Sequence, residues 1–340
     1  MDIRTNIPLS TYTTMKLGGP ARFFVDIHDK NELPGLFSRA KEQSLPVYVL
    51  GGGSNLIVKD EGFAGIIAHI KIPGFEVTTE DTSSKTIRIG AGENWDEVVK
   101  RSVDLRLSGI EAMSGIPGST GATPVQNVGA YGQEIADTLV SLEAFDTRTG
   151  QFITLSRTDC NFSYRNSIFR GEASGRYIIT SVILRLSKNQ PAPPFYGSLQ
   201  TYLDENHINL YTQEVIREAV LAIRAEKLPS VQEKPSAGSF FKNALVEDWL
   251  YKDLLKQYPD MPAFEMGGKQ WKIPSGWLIE RAGLKGKELH GFRVYEKNAL
   301  VLVNESAKTY QDLASAREEI IHTVHSAFRI QLEQEPLELG

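Results

Sequence analysis

A single cysteine, Cys160, occurs in 340 residues. It leaves no partner for an internal disulfide and no basis for a multi-cysteine metal site. Basic residues are not in excess: 37 Lys+Arg against 42 Asp+Glu give a formal charge of −5, whereas a general nucleic-acid binder normally carries a basic surplus. An anionic small ligand stays possible, because a few cationic side chains make a local positive pocket in an acidic protein. No apolar run approaches the roughly 18 residues of a membrane helix. The opening Met1-Asp2-Ile3-Arg4 has none of the apolar core of a secretory signal. The histidines form no ligand-spaced cluster: His28, His69, His207 and His290 stand apart, and His322 and His325 fall on the polar side of the last helical pattern. No metal is expected. Internal repeats and low-complexity stretches are absent as well. These absences predict a soluble cytoplasmic protein with no nucleic-acid, membrane or obligate protein partner. What is present, 41% hydrophobic and 23% charged residues, is ordinary globular composition over a length that suggests two or three domains.

Strand-like and helix-like patterns alternate along the first half. Residues 21–27, 45–50, 65–72, 75–80 and 86–89 read as strands from their β-branched and apolar content. Residues 31–43 carry Leu33, Leu36, Phe37 and Ala40 at helical spacing, and residues 95–105 form a second amphipathic helix. Residues 141–155 hold Asp146-Thr147-Arg148-Thr149-Gly150, a turn cluster that predicts a hairpin, and 177–186 is a long strand. The polar, proline-rich residues 187–194 precede a domain border near Gly197. Beyond it come a helix at 215–228, a buried strand at 299–303 and a long helix opened by Thr309. Asp312 is its capping-box partner.

Two glycine-rich blocks interrupt these patterns. Gly51-Gly52-Gly53-Ser54-Asn55-Leu56 follows a strand, and turned backbone N–H groups there are able to cradle phosphate. The spacing is neither G-x-G-x-x-G nor G-x-x-x-x-G-K-[ST], and Leu56-Ile57-Val58 reads as strand, which disfavours a Rossmann site. On residues alone, a plain turn and a phosphate loop remain open. The second block, 115–132, places five glycines and two prolines among small, uncharged residues. It is too irregular for a helix and too apolar for a solvent loop. It suits backbone packed against a flat ligand or, alternatively, a tight structural crossover.

Taken with Ser163-Tyr164-Arg165-Asn166-Ser167-Ile168-Phe169, Ser236-Ala237-Gly238-Ser239-Phe240-Phe241-Lys242-Asn243, Gly276-Trp277-Leu278-Ile279, Leu284-Lys285-Gly286, Ala299-Leu300-Val301-Leu302-Val303-Asn304 and Leu332-Glu333-Gln334-Glu335, the two blocks resemble the UDP-N-acetylenolpyruvoylglucosamine reductases, flavoenzymes of peptidoglycan synthesis. The resemblance covers nearly the whole chain. Tyr196-Gly197 is similar to the substrate-loop tyrosine of the type I branch. The resemblance implies an α+β fold of the FAD-binding PCMH type (vanillyl-alcohol-oxidase-like), with flavin subdomains at 1–70 and 71–197. A smaller α/β substrate-binding domain would occupy 198–340, its C-terminal segment returning to the active site. It also implies non-covalent FAD, NADPH as reductant and a UDP-sugar substrate.

By the same resemblance, Gly51, Gly52, Gly53, Ser54, Asn55, Gly115, Pro117, Gly118, Gly121, Ala122, Gln126 and Gly129 hold the flavin. Arg165, Ser239 and Glu335 are the catalytic set. Arg165 faces the substrate carboxylate, where a planar, permanently charged fork suits two oxygens. Ser239 is the proton donor, and a hydroxyl needs neighbouring positive charge or donors to give up its proton. Glu335 must be protonated or shielded beside an anionic intermediate; here Pro336-Leu337 follow it where the family usually has Val-Arg. Tyr164, Tyr196, Lys227, Asn243 and Asn298 are implied to contact substrate. Asn298 replaces a common Gln, and Phe264 a frequent Tyr.

Overall fold

The structure is a computed structural model that describes residues 1–340. The chain divides into two compact units: unit one comprises residues 1–7, 21–52 and 64–225, and unit two residues 8–20, 53–63 and 226–340.

Unit one is built on two sheets. The first runs in the order Ile3–Pro8, Pro20–Ile27, Phe63–Ile70, Val47–Leu50. Its last pair is parallel, with Val47 opposite Ile66 and Leu50 opposite His69. The helix Glu32–Glu42 joins Pro20–Ile27 to Val47–Leu50 and buries Leu33, Leu36 and Ala40, one face of a 3.6-residue period. The second sheet runs Gln151–Ser156, Leu139–Asp146, Tyr177–Ser187, Ser84–Gly90, Phe75–Glu80, and every neighbouring pair is antiparallel. Its central strand, Tyr177–Ser187, buries residues of both faces, as a strand covered on both sides must. The expected hairpin closes at Asp146, whose carbonyl accepts the Gly150 N–H at 2.8 Å. Residues 70 and 197, where borders were expected, both lie inside unit one. The first sheet uses no residue beyond 70, and the second begins at 75.

The helix Trp95–Asp104 covers this core. Asn94 caps it by accepting the Glu97 N–H at 3.1 Å, and Trp95 is fully buried with its ring N–H donating to the Met113 carbonyl at 3.2 Å. Truncating such an aromatic costs about 3–5 kcal/mol. A satellite cluster joins Ala112 to Leu199 and Leu203 of the helix Gly197–Glu205 and to Ile216, Ala219, Val220 and Ile223 of the helix Gln213–Lys227.

Unit two packs the helices Asp248–Gln257, Ser275–Arg281 and Tyr310–Phe328 with two three-stranded sheets. The capping box forms as expected: Thr309 accepts from the Asp312 N–H, and Asp312 from the Thr309 N–H, at 3.1 and 3.0 Å. Leu313, Ala316, Ile320, Val324 and Phe328 bury the helix's apolar stripe. Segments from the N-terminal half complete the unit. Leu56–Val58 pairs in parallel with Leu337–Leu339, and Thr14 accepts the Ser236 N–H at 3.1 Å.

The expected strand at 299–303 is corrected to Leu302–Asn304. The side chain of Asn298 accepts the Leu300 N–H at 3.1 Å, and its carbonyl accepts the Val301 N–H at 3.0 Å. That local turn competes with the ladder, as Asn side chains do. No helix is long and apolar enough to cross a membrane.

Candidate active site

In unit one the two glycine blocks meet directly. A Cβ on Gly52 would stand 2.6 Å from the Gly118 Cα, and one on Gly121 would stand 2.6 Å from the Ala91 Cβ. Glycine is therefore demanded by close backbone approach, whatever ligand the blocks also carry. The second block is pinned from three sides. Trp95 donates its N–H to the Gly118 carbonyl at 3.0 Å, Thr120 to Glu93 at 2.8 Å and Gly121 to Ala91 at 2.9 Å. Gly52 and Pro117 remain exposed while Ser119 and Thr120 are buried. The blocks contain no acidic side chain, so nothing in them repels a pyrophosphate, and their hydroxyls, amides and accessible backbone fit the donor set FAD requires.

Gly115 has a charged setting that motif reading missed. Asp96 accepts its N–H at 2.6 Å, and Arg224 donates to its carbonyl at 3.0 Å. Arg217 closes a fork on Asp96 at 2.6 and 2.9 Å. Burial works to raise the Asp96 carboxyl, but Arg217 and the Gly115 N–H outweigh it and its pKa falls. Burial lowers the pKa of Arg224, against the charges of Tyr131 and Asp96. The available signal was two arginines seven residues apart on an otherwise apolar helical face.

Arg165 sits at the tip of a hairpin of the shortest kind. Ser163 and Asn166 exchange both backbone hydrogen bonds at 3.1 Å, and Arg165 takes a left-handed φ of 53°. Its Nη2 donates to the Gly129 carbonyl at 2.8 Å, and its guanidinium carbon lies 5.4 Å from the Tyr164 ring centroid. Gly129, Tyr164 and Arg165 are thus brought together. Asn127, absent from the expected set, ties the hairpin down. Fully buried, it donates to the Ser163 carbonyl at 3.3 Å and accepts the Ala136 N–H at 3.1 Å. Ser167 donates to the Val125 carbonyl at 2.6 Å, and Arg170 to the Gln126 side chain at 3.0 Å.

Tyr196 precedes the helix Gly197–Glu205 and is half exposed, its ring edge-on to Tyr131 at 6.3 Å. The two tyrosines, with Gln133, Asn189 and Phe195, line a cavity of about 330 Å³. Burial raises the Tyr131 phenol's pKa.

Unit two places Ser239 and Glu335 on neighbouring extended segments joined by isolated bridges. Ser239 bridges to Val301, the Phe240 N–H donates to the Leu300 carbonyl at 2.7 Å, and the Glu335 N–H donates to the Phe240 carbonyl at 2.9 Å. Gly238, with φ 68°, makes the turn that brings Ser239 into this ladder. Two neighbouring carboxylates are engaged elsewhere: Glu333 with Lys242 at 3.1 Å and Glu338 with Arg317. Pro336 costs no strand hydrogen bond, because pairing resumes with the Leu337 N–H on the Asn55 carbonyl at 3.0 Å. Asn243 accepts the Ser275 N–H at 3.2 Å, and Asn298 caps its own turn, so each commits its side-chain oxygen to the fold. Lys227 is exposed at the end of its helix. Gly53 is buried, and Thr14 donates its N–H to the Gly53 carbonyl at 3.2 Å and its hydroxyl to the Ser54 carbonyl at 3.4 Å. The first glycine block is therefore shared: Gly51 and Gly52 belong to unit one, and Gly53, Ser54 and Asn55 to unit two.

Comparison with known proteins follows the same division. Residues 21–156 match the FAD binding domain family, and residues 230–338 match the C-terminal domain of UDP-N-acetylenolpyruvoylglucosamine reductase. The UDP-N-acetylenolpyruvoylglucosamine reductase of Flavobacterium johnsoniae is 38% identical over 98% of this chain and 99% of its own length. That of Ralstonia nicotianae is 36% identical over 97% of each. Among solved structures, the UDP-N-acetylenolpyruvylglucosamine reductase of Thermus caldophilus is similar in fold, with a TM-score of 0.68 at 24% identity over 100% of this chain and 98% of that one.

Proposed function

We propose that Arg165, Ser239 and Glu335 carry the chemistry of reducing an enolpyruvyl ether, since the chain belongs to the UDP-N-acetylenolpyruvoylglucosamine reductase family. The protein is an oxidoreductase of peptidoglycan synthesis with the FAD-binding PCMH-type α+β fold, and it uses FAD and NADPH. The product is UDP-N-acetylmuramate, and the protein works in the cytoplasm.

Bound FAD supplies the hydride relay, from NADPH to C3 of the substrate double bond; side chains do the rest. Gly51, Gly52, Gly53, Ser54, Asn55, Gly115, Pro117, Gly118, Gly121, Ala122, Gln126 and Gly129 hold the cofactor. Arg165 faces the substrate carboxylate. As charge spreads into that carboxylate from C2, the attraction strengthens, so Arg165 binds the transition state better than the ground state. Ser239 then protonates C2. Glu335, linked by its N–H to the Phe240 carbonyl, shares the proton chemistry, and its own charge must be neutralised by a proton or shielded. Tyr164, Tyr196, Lys227, Asn243 and Asn298 bind the UDP-sugar, Tyr196 from the wall of the cavity it shares with Tyr131.

The observation that supports this reading is the backbone pairing at Phe240, which accepts the Glu335 N–H directly after Ser239. The test is anaerobic and visible. Purified protein should be yellow, bleach on adding NADPH and recover its colour on adding UDP-N-acetylenolpyruvoylglucosamine. Protein that bleaches but stays bleached with that substrate would refute the assignment.

A further inference from the structure

The C-terminal segment changes partner strand at Pro336. Upstream, it lies beside residues 240–242. Lys242 donates its N–H to the Glu333 carbonyl and Glu335 donates to Phe240, each at 2.9 Å, and Phe241 bridges to Gln334. Downstream, Leu337–Leu339 runs parallel to Leu56–Val58. Pro336 has no N–H to offer either partner. Glu335 is therefore the last residue held by the first ladder, and its successor cannot extend that ladder.

Side chains span this weak point. Gln334 Nε2 donates to the Pro336 carbonyl at 2.9 Å and to Glu338 Oε1 at 3.3 Å. From the helix Tyr310–Phe328, Arg317 Nη1 donates to Gln334 Oε1 at 2.8 Å and also to Glu338 Oε1. The helix is itself fastened to the second partner strand, since the Asp60 carboxylate, two residues beyond Val58, accepts the Tyr310 N–H at 2.9 Å. Arg317 thus grips one residue on each side of the switch from a helix whose start is anchored. A guanidinium suits this position because it stays charged and reaches two acceptors in one plane.

We propose that Arg317 is a positioning residue that holds Glu335 in place for protonation of the substrate. The proposal rests on the reading of Glu335 as a catalytic carboxyl. A displacement of order 1 Å costs up to roughly 10²-fold in rate, so loss of the grip should be visible in the step that uses Glu335 and silent in the step that does not.

The experiment is a double-mutant cycle in the full-length holoenzyme: Arg317→Met, Glu335→Gln and the two combined, followed by anaerobic stopped-flow absorbance of the flavin. All three should reduce with NADPH within a few-fold of the parent. Glu335→Gln should slow reoxidation by saturating UDP-N-acetylenolpyruvoylglucosamine, and Arg317→Met should slow it by roughly tenfold or more. Adding Arg317→Met to Glu335→Gln should slow it no further, because the two act as one unit. Arg317→Lys should recover only part of the loss. Parent-like reoxidation in Arg317→Met, beside slow reoxidation in Glu335→Gln, overturns the proposal and leaves Glu335 its role. Independent, additive losses overturn it as well. Parent-like reoxidation in Glu335→Gln overturns the role of Glu335 and the proposal together. If Arg317→Met does not fold, Glu338→Leu removes the outer acceptor of the same grip and carries the same prediction.

Discussion

Arg165 and Ser239 are held by opposite means. The Arg165 hairpin has only two backbone bonds of its own, and side chains fasten it to the glycine block: Asn127, Ser167 and the Arg170–Gln126 pair. Ser239 sits in a backbone ladder, with Val301 on one side and Phe240 linking onward to Glu335. A side-chain clamp is made of replaceable parts, and each part can be removed singly. A ladder does not depend on the side chain it presents. Substitutions around Arg165 should therefore disturb geometry as well as charge, while a substitution at Ser239 should remove chemistry and leave geometry standing.

The sharpest break in unit one is Arg165→Met, which keeps the stem and removes the fork. Reoxidation of reduced flavin by the enolpyruvyl substrate should slow by about 10³-fold, the upper end for losing one preorganised charge-stabilising donor. Reduction by NADPH should fall far less, and rapid-mixing absorbance separates the two. A smaller effect is expected at the substrate positions. Tyr196→Phe and Lys227→Ala should each raise the substrate KM by about tenfold, worth roughly 1.4 kcal/mol, with little change in flavin reduction. Steady-state kinetics with varied substrate checks this.

The clamp itself is tested by Asn127→Ala. The change leaves the buried Ala136 N–H without its acceptor and takes one of two donors from the Ser163 carbonyl, at a cost of about 1–3 kcal/mol. Chemical denaturation should report that loss, and substrate-driven reoxidation should slow as the hairpin loosens. The smallest effect lies in the hairpin Asp146–Gln151. The Arg176 fork, with help from the Arg148 N–H, holds the Asp146 carboxyl down at about 2. Because the folded pKa lies below the unfolded value of about 3.9, this pair's stabilisation is complete above that value and is lost as pH falls through about 2. The stability gap between the parent and Arg176→Gln should close over that interval in acid titrations. A gap independent of pH would contradict the assignment.

Much of this was legible in the sequence, for reasons that differ by region. β-Branched and apolar runs located most strands of unit one, and period-3.6 patterns the helices Glu32–Glu42 and Trp95–Asp104, each of which buries one face. Thr309 and Asp312 announced their helix, because a capping box is local chemistry. The strand at 299–303 was misplaced because the Asn298 turn wins locally over a β-rich composition. The small sheets and short helices of unit two were not legible, since strands of three or four residues carry too few alternations to stand out. The sequence motifs pointed to Arg165, Ser239 and Glu335, but their supports were hidden. No motif singles out Asn127 within its glycine block or Arg317 on the last helix. Only tertiary placement shows that one ties down the Arg165 hairpin and the other spans the strand switch at Pro336.

The proposed role of Ser239 as proton donor is tested most directly by removing its hydroxyl. The Ser239→Ala variant, reduced beforehand by NADPH without oxygen, is mixed with UDP-N-acetylenolpyruvoylglucosamine and the return of flavin absorbance is timed. Reduction by NADPH should stay within a few-fold of the parent, because that step needs no proton from this hydroxyl. Reoxidation should slow by at least roughly 10²-fold, the low end for a lost general acid, and Ser239→Cys should recover part of the loss. Reoxidation of the alanine variant at the parent's rate would contradict the account.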